Sequence, residues 1–322
     1  MVDEVYPNLY RIEVPLPKNP LQSLNSYVIT GPDRNLIIDT GMNREECRSV
    51  MHSGLQELEV DLRETDLFIT HFHADHLGLV ADLATESSRI YFNQPDATMI
   101  SLPGMWQVVL DLARMNGFPA EELQNALRKH PGYKYSPKSH PEFEILTDGD
   151  TLRVGDYVFE CVETPGHSPG HLCLYEADKK FLIAGDHVLY DITPNISQWD
   201  GDGNTLTKYL ASLDKVCTYD IERVLPGHRS LFDDCKGRVE ELKHHHQVRA
   251  DEVLAIVEAG VQDAFHVASQ MSWDIECDSW DEFPITQKWF ATGEALAHLY
   301  YLEAEGRLRT ETRDDKVLFS LT

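Results

Sequence analysis

Thr70-His71-Phe72-His73-Ala74-Asp75-His76-Leu77-Gly78 places three imidazoles and one carboxylate within six residues. The preceding Leu67-Phe68-Ile69-Thr70 is a short apolar, β-leaning run that reads as a buried strand. The following Leu77-Gly78-Leu79-Val80-Ala81-Asp82-Leu83 reads as the start of a helix. The cluster therefore sits on a strand-to-helix loop, where backbone curvature lets neighbouring side chains face one point. Imidazole nitrogen and carboxylate oxygen suit zinc, iron or manganese. Four such donors exceed what one tetrahedral site open to substrate can use. The economical reading is two metals, with His71 and His73 on one and Asp75 and His76 on the other. The bland alternative is a solvated polar loop, but histidines this dense would repel on protonation and gain nothing without a cation.

Working outward, Leu9-Tyr10-Arg11-Ile12-Glu13-Val14 alternates as a strand should, and Asn25-Ser26-Tyr27-Val28-Ile29-Thr30 follows it. Leu36-Ile37-Ile38-Asp39-Thr40-Gly41 is a buried strand ending in Asp-Thr-Gly, and residues 43–58 carry helical spacing. After a strand at 89–93 comes a helical interlude over about 96–130, then the aromatic, proline-rich loop His130-Pro131-Gly132-Tyr133-Lys134-Tyr135-Ser136-Pro137. This insertion, about 96–140, suits a lid, a dimer face or an ordinary helical pair covering a core. Strands resume at 151–154, 157–163, 172–176 and 181–184. Phe181-Leu182-Ile183-Ala184-Gly185-Asp186 echoes the 36–41 strand, and Ile221 to His228 echoes the strand that ends at His71. Two such halves suggest a β-sandwich with helices outside.

Three of these later stretches offer further metal donors. Thr164-Pro165-Gly166-His167-Ser168-Pro169-Gly170-His171 follows a strand with a Gly/Pro turn, and one of its histidines can reach the first metal. Asp186 stands at a strand end, where one carboxylate can bridge two cations, and Leu225-Pro226-Gly227-His228 offers the last imidazole. Each alone is a common turn; in this order beside the histidine cluster they form a set.

Asp39, His71-x-His73-x-Asp75-His76, His167, Asp186 and His228 together resemble the motifs of the metallo-β-lactamase-fold hydrolases, over about residues 5–232. The resemblance implies an α/β fold of αββα sandwich architecture and a dinuclear site. By it His71, His73 and His167 hold one metal, Asp75, His76 and His228 hold the other, and Asp186 bridges. Asp39 is then a buried support, and His171 and His187 support ligands rather than bind. The implied cofactors are two divalent ions, zinc first, with manganese or iron as alternatives.

The 322 residues allow a catalytic domain over 1–236 and a smaller helical domain over 237–322. Residues 237–260, with His244-His245-His246 expected at the surface, then 263–271 and 285–305 read as helices. Leu308-Arg309-Thr310 and Val317-Leu318-Phe319-Ser320-Leu321 then flank a turn. That order is a winged-helix pattern, and it resembles the extension on the branch that includes β-lactamase-like protein 2. From 251 to 322 there are 5 Lys/Arg against 15 Asp/Glu, so a DNA-reading role is disfavoured. The whole chain carries a formal charge of −26, which repels polyanions and argues against nucleic acid as a partner. There is no apolar run near the ~20 residues a membrane span needs. Six cysteines without Cys-x-x-Cys spacing and an acidic start without a signal pattern are expected of a cytoplasmic protein, a homodimer being one reading. Asn195-Ile196-Ser197 matches a glycosylation acceptor only incidentally.

Two cations ~3.5–4 Å apart share a water and lower its pKa, and the hydroxide attacks a carbonyl or phosphoryl centre. Asp75 is the candidate catalytic residue, orienting that hydroxide or relaying its proton. Trp106, Tyr135 and Tyr190 are candidate substrate contacts, beside Tyr133, Lys134, Asp191 and Asn195 in the same loops. The leading expectation is hydrolysis of a small ester or thioester in the manner of glyoxalase II. The alternatives are a phosphodiesterase or ribonuclease and a mononuclear-iron, persulfide-dioxygenase-like enzyme.

Overall fold

The computed structural model describes residues 2–139, 142–198, 204–275 and 277–322. The chain opens with β1 (Val2–Tyr6), β2 (Leu9–Pro15), β3 (Ser23–Ile29), β4 (Asn35–Ile38), α1 (Glu45–Glu57), β5 (Thr65–Phe68), α2 (Ala74–Leu77) and α3 (Val80–Leu83). It continues through β6 (Ile90–Phe92), α4 (Gln94–Ser101), α5 (Met105–Met115), α6 (Ala120–Lys129), α7 (Pro131–Tyr135), β7 (Glu144–Ile145), β8 (Thr151–Val154) and β9 (Tyr157–Glu163). Next come β10 (Leu172–Glu176), β11 (Phe181–Gly185), α8 (Thr205–Val216), β12 (Arg223–Pro226) and α9 (Cys235–Glu258). Then α10 (Ala264–Ala268), α11 (Ile285–Ala304), β13 (Leu308–Arg313) and β14 (Lys316–Leu321) close the chain.

Two compact units emerge. The first holds Met1–Ser101, Tyr135–Pro194 and Leu213–Val239. In it a seven-stranded sheet runs β1 to β7 in chain order, antiparallel as far as β4 and parallel from β4 onward. A five-stranded sheet runs β12-β11-β10-β9-β8, with β11 and β12 parallel. Successive side chains of a strand point to opposite faces. Leu9, Tyr27, Ile29, Leu36 and Ile38 of the first sheet therefore share one buried core with Phe159, Leu174, Phe181 and Ile183 of the second. Ile12, on the opposite face of β2, lies under α1, whose buried Cys47, Met51, Gly54 and Leu55 form one stripe. Contact there is close: a Cβ on Gly54 would sit 2.8 Å from Ile12 Cδ1.

Each sheet contains one parallel pair that serves the site, β4–β5 and β11–β12. Just past the four strand ends stand Asp39, His71, Asp186 and His228. The internal echo of the sequence is thus an echo of strand pairing. The strand before the histidines ends at Phe68 rather than Thr70, because Thr70 turns its N–H onto Asp39 Oδ1 at 2.9 Å. The helix begins inside the cluster, so Asp75 and His76 lie in α2. The stretch after His130, expected as a loop, forms α7, with Pro131 at its first position, where a missing N–H costs nothing.

The second unit holds Leu102–Lys134, Asn195–Ser212 and Glu240–Thr322. Most of the helical insertion belongs to it; residue 140, its expected end, lies outside the described residues. Leu110, Phe118, Leu123, Ala126 and Leu127 form one cluster, with Trp289 of α11 against it. Val253, Val257, Ala264, Leu296, Leu299, Leu302 and Phe319 form a second. After residue 237 the expected order is present: α9, α10, α11 and the antiparallel β13–β14 hairpin. The surface placement of the histidine triplet fails at His246, which is 2% exposed. It falls on the buried stripe of α9 with Leu242, Ala250, Val253 and Val257, and Nδ1 lies 3.2 Å from His298 Nε2. Among the described residues no helix is long and apolar enough to cross a membrane.

Candidate metal centre

The seven side chains singled out from the sequence all lie in the first unit and meet at one end of its strands. Three overlapping groups can each hold a metal ion: His71, His73 and His167; His71, His76 and Asp186; Asp75, His76 and His228. Within each group the donor atoms lie within 4.8 Å of one another. His71, His76 and His228 are fully buried, and Asp75, His167 and Asp186 nearly so.

Hydrogen bonds on the far side of each ring decide which nitrogen faces the centre. Asp39 Oδ2 lies 2.7 Å from His76 Nδ1, so that nitrogen donates and Nε2 turns its lone pair inward. Asp39 sits in the left-handed region at φ 59°, and its Oδ1 also accepts from Thr70 N. His228 Nδ1 donates to Ser23 O at 2.6 Å, again leaving Nε2 for the centre. Thr70 Oγ1 lies 3.0 Å from His71 Nδ1. His171 binds no group of the centre but holds it: Nε2 accepts from Asp186 N at 3.1 Å and Nδ1 bonds Thr164 Oγ1 at 2.8 Å. His187, also expected as a support, is fully buried, its ring 6.2 Å from that of His171. Thr70, Thr164 and the Ser23 carbonyl escaped the sequence reading; only the position of Thr70 beside the cluster was a signal.

His71 Nε2 and His73 Nδ1 stand 2.9 Å apart, whereas the atoms around Asp186 are spaced as ligands rather than as hydrogen-bond partners. His76 Nε2 lies 3.5 Å from Asp186 Oδ1, His167 Nε2 3.6 Å from Asp186 Oδ2, and His228 Nε2 3.3 Å from Asp186 Oδ2 and 3.4 Å from Asp75 Oδ2. A tetrahedral ion with bonds near 2.0–2.1 Å spaces its ligands roughly 3.3 Å apart. His76 Nε2, Asp186 Oδ1 and His228 Nε2 are buried and make no hydrogen bond, which would be costly without a cation between them. The donor set and its spacing therefore fit divalent metal.

The electrostatics agree. Burial drives His71 and His73 well below the ordinary imidazole range, the neutral form that ligates. Burial would raise Asp186, but His228 and His76 hold it well below the usual carboxylate range. Burial would lower His76, yet Asp39 and Asp186 keep it well above its ordinary value. The carboxylates thus demand positive charge at this point, which a divalent ion supplies while leaving both imidazoles neutral.

Gly227 is part of this packing. A Cβ there would meet Asp186 Oδ1 at 2.6 Å and His76 Cε1 at 2.9 Å. Gly227→Ala is expected to weaken retention of a divalent metal roughly 10–100-fold with the fold kept. Metal per chain after dialysis against a graded chelator checks this; wild-type retention would show that Asp186 has room to move.

The candidate substrate contacts scatter. Tyr190, half exposed, stands four residues past Asp186 and packs on Phe232; Arg238 pins its loop through Leu189 O and Ile192 O. Tyr135 lies under the Arg44 guanidinium, 5.2 Å from its ring centre. Trp106 belongs to the second unit, where it stacks edge-on with His130 and Tyr133. Asn195 gives its amide to Glu294 Oε2, and Ser197 is buried, which fits an incidental acceptor motif.

The family model of the metallo-beta-lactamase superfamily matches residues 20–228, and that of the metallo-beta-lactamase-like C-terminal domain matches 281–320. A beta-lactamase-like protein 2 homolog from Drosophila melanogaster is 24% identical over 93% of this chain and 88% of its own. An atrochrysone carboxyl ACP thioesterase from Aspergillus fumigatus is 26% identical over 79% of this chain and 66% of its own. The chain spans 61% and 63% of the length of two fungal lactamase-like relatives that it also matches. Among solved structures, a beta-lactamase domain protein from Burkholderia ambifaria is 26% identical with a TM-score of 0.87, covering 100% of this chain and 94% of that one.

Proposed function

The chain belongs to the metallo-beta-lactamase superfamily, and from that premise we propose that it is a dinuclear metal-dependent hydrolase of a small acyl thioester or ester. The observation that carries this reading is the set of three overlapping donor groups with Asp186 at their junction. In this reading His71, His73 and His167 would hold one divalent ion and Asp75, His76 and His228 the other, with Asp186 available to both; zinc suits such nitrogen-rich ligation. When bound, the ions supply a Lewis acid for the carbonyl oxygen and acidify water.

The chain's own residues do the rest. Asp39, Ser23 and His171 keep the imidazoles and Asp186 oriented. Asp75 keeps a carboxylate in the cluster, 3.4 Å from His228 Nε2, where it orients the attacking water and takes its proton. Water oxygen bonds to the acyl carbon, the C–S or C–O bond breaks, and the proton leaves with the thiol or alcohol. Tyr190 is the substrate contact favoured by its place in the loop after Asp186. The substrate class rests on the thioesterase among the relatives and on the −26 charge, which disfavours a polyanion. The partner expected in this reading is a small molecule, since a charge of −26 argues against a polyanion.

Two measurements test the proposal together. Elemental analysis of protein purified without added metal is expected to find about two zinc per chain. A panel of acyl thioesters, esters, lactones and phosphodiesters is expected to show turnover on thioesters first. Phosphodiester cleavage without thioester turnover would overturn the substrate class. One iron per chain with oxygen consumption on a persulfide would overturn the hydrolase itself.

A further inference from the structure

We propose that Asp96 is a positioning residue that clamps together the two loops carrying His71, His73 and His167, and that it sets the affinity of that donor group for metal. The inference rests on the metal reading above and adds a residue outside the ligand set.

Asp96 lies in α4, is fully buried, and belongs to the first unit. Its Oδ2 accepts from Phe72 N at 3.0 Å and from Ser168 Oγ at 2.7 Å, and its Oδ1 accepts from Gly170 N at 2.7 Å. Phe72 stands between His71 and His73. Ser168 follows His167, and Gly170 precedes His171, which holds the Asp186 backbone. One carboxylate thus fixes both loops at the points where they present ligands. Its own backbone is held in turn, because Asp96 N donates to Asn93 Oδ1 at 2.8 Å. The second loop lies hard against this turn: a Cβ on Gly170 would overlap Asn93 Oδ1, 1.6 Å away.

Among the described residues no Lys or Arg forms an ion pair with Asp96. A buried carboxylate without a counter-cation is an expensive way to fill space, and an apolar residue would pack at lower cost. What the carboxylate alone provides is two acceptor oxygens for three donors from two loops. The other donor group is held differently, His76 by Asp39 and His228 by Ser23 O. Losing Asp96 should therefore loosen that metal position more than the other.

The test is zinc titration of chelator-stripped full-length protein against a chromophoric competitor, for wild type, Asp96→Asn and Ser168→Ala. In Asp96→Asn the side-chain NH2 group faces Gly170 N or Phe72 N, donor against donor, so the clamp is broken at one of its loops. One of the two zinc-binding steps is expected to weaken roughly 10–100-fold, the other by clearly less. Ser168→Ala removes one of three contacts and is expected to weaken the same step by less. Equal weakening of both steps would mean a general structural defect and would overturn the clamp. Unchanged steps in Asp96→Asn would overturn it too. If Asp96→Asn does not fold, unchanged steps in Ser168→Ala do the same. Wild-type protein that binds no zinc would instead sink the metal reading, so the two failures are distinguishable.

Discussion

Asp186→Ala is expected to lower kcat/KM for a thioester substrate by roughly a thousandfold or more. Asp186 lies within 3.6 Å of three imidazoles at once, those of His76, His167 and His228. It stands at the end of β11, and its backbone is pinned by His171. Removing it deletes the anion that both ions would share and leaves three buried imidazoles facing one another. Metal-assisted stabilisation of the transition state is worth several kcal/mol, and about 4 kcal/mol corresponds to roughly a thousandfold in rate. The double substitution His71→Ala with Asp186→Ala is expected to leave no measurable turnover. The fold of the second unit is checked in the same samples by tryptophan emission, since Trp106, Trp273, Trp280 and Trp289 all lie there. Full turnover in the double variant, with native emission, would place the active site elsewhere.

Chelation is expected to have the second large effect, and on two readouts. Stripped protein should lose its activity, regain it with zinc, and melt lower. The reason lies in the cluster: Asp75 and Asp186 are ionised and buried beside imidazole nitrogens that make no hydrogen bond. Such a constellation opposes folding unless a cation occupies it. A ligand that binds only the folded chain, at a thousandfold above its dissociation constant, adds about 4 kcal/mol of stability. For a chain of this length that is a rise in Tm of roughly 5–10 °C. Differential scanning calorimetry with and without chelator measures it. An unchanged Tm with unchanged activity would mean that the donors do not hold metal.

Much of the site was legible because metal-ligand motifs are local. His71, His73, Asp75 and His76 lie on a single turn of chain, so their spacing alone declares a shared target. His167, Asp186 and His228 were legible as polar residues just past apolar strands. Periodicity likewise exposed most strands and the long helices. Where it failed, tertiary contacts won: Thr70 left its strand for Asp39, the Pro131 stretch closed into a helical turn, and His246 joined a buried stripe. The strands β1 and β7 and the helix α8 were not anticipated; β7 spans two residues, and Val2-Asp3-Glu4-Val5-Tyr6 of β1 shows no alternation.

By itself, then, the sequence determined the kind of protein this is: an α/β chain whose strand ends carry imidazoles and carboxylates in the order of the metallo-beta-lactamase superfamily. Only the tertiary structure decided which nitrogen of His76 and of His228 faces the centre. Those choices rest on partners distant in the chain, Asp39 for His76 and Ser23 O for His228, 37 and 205 residues away. It also decided that Asp96 reaches two loops at once, one of them more than seventy residues downstream. A motif records which donors are near in sequence; a hydrogen bond needs an atom within about 3 Å, and only the packed sheets bring such atoms together.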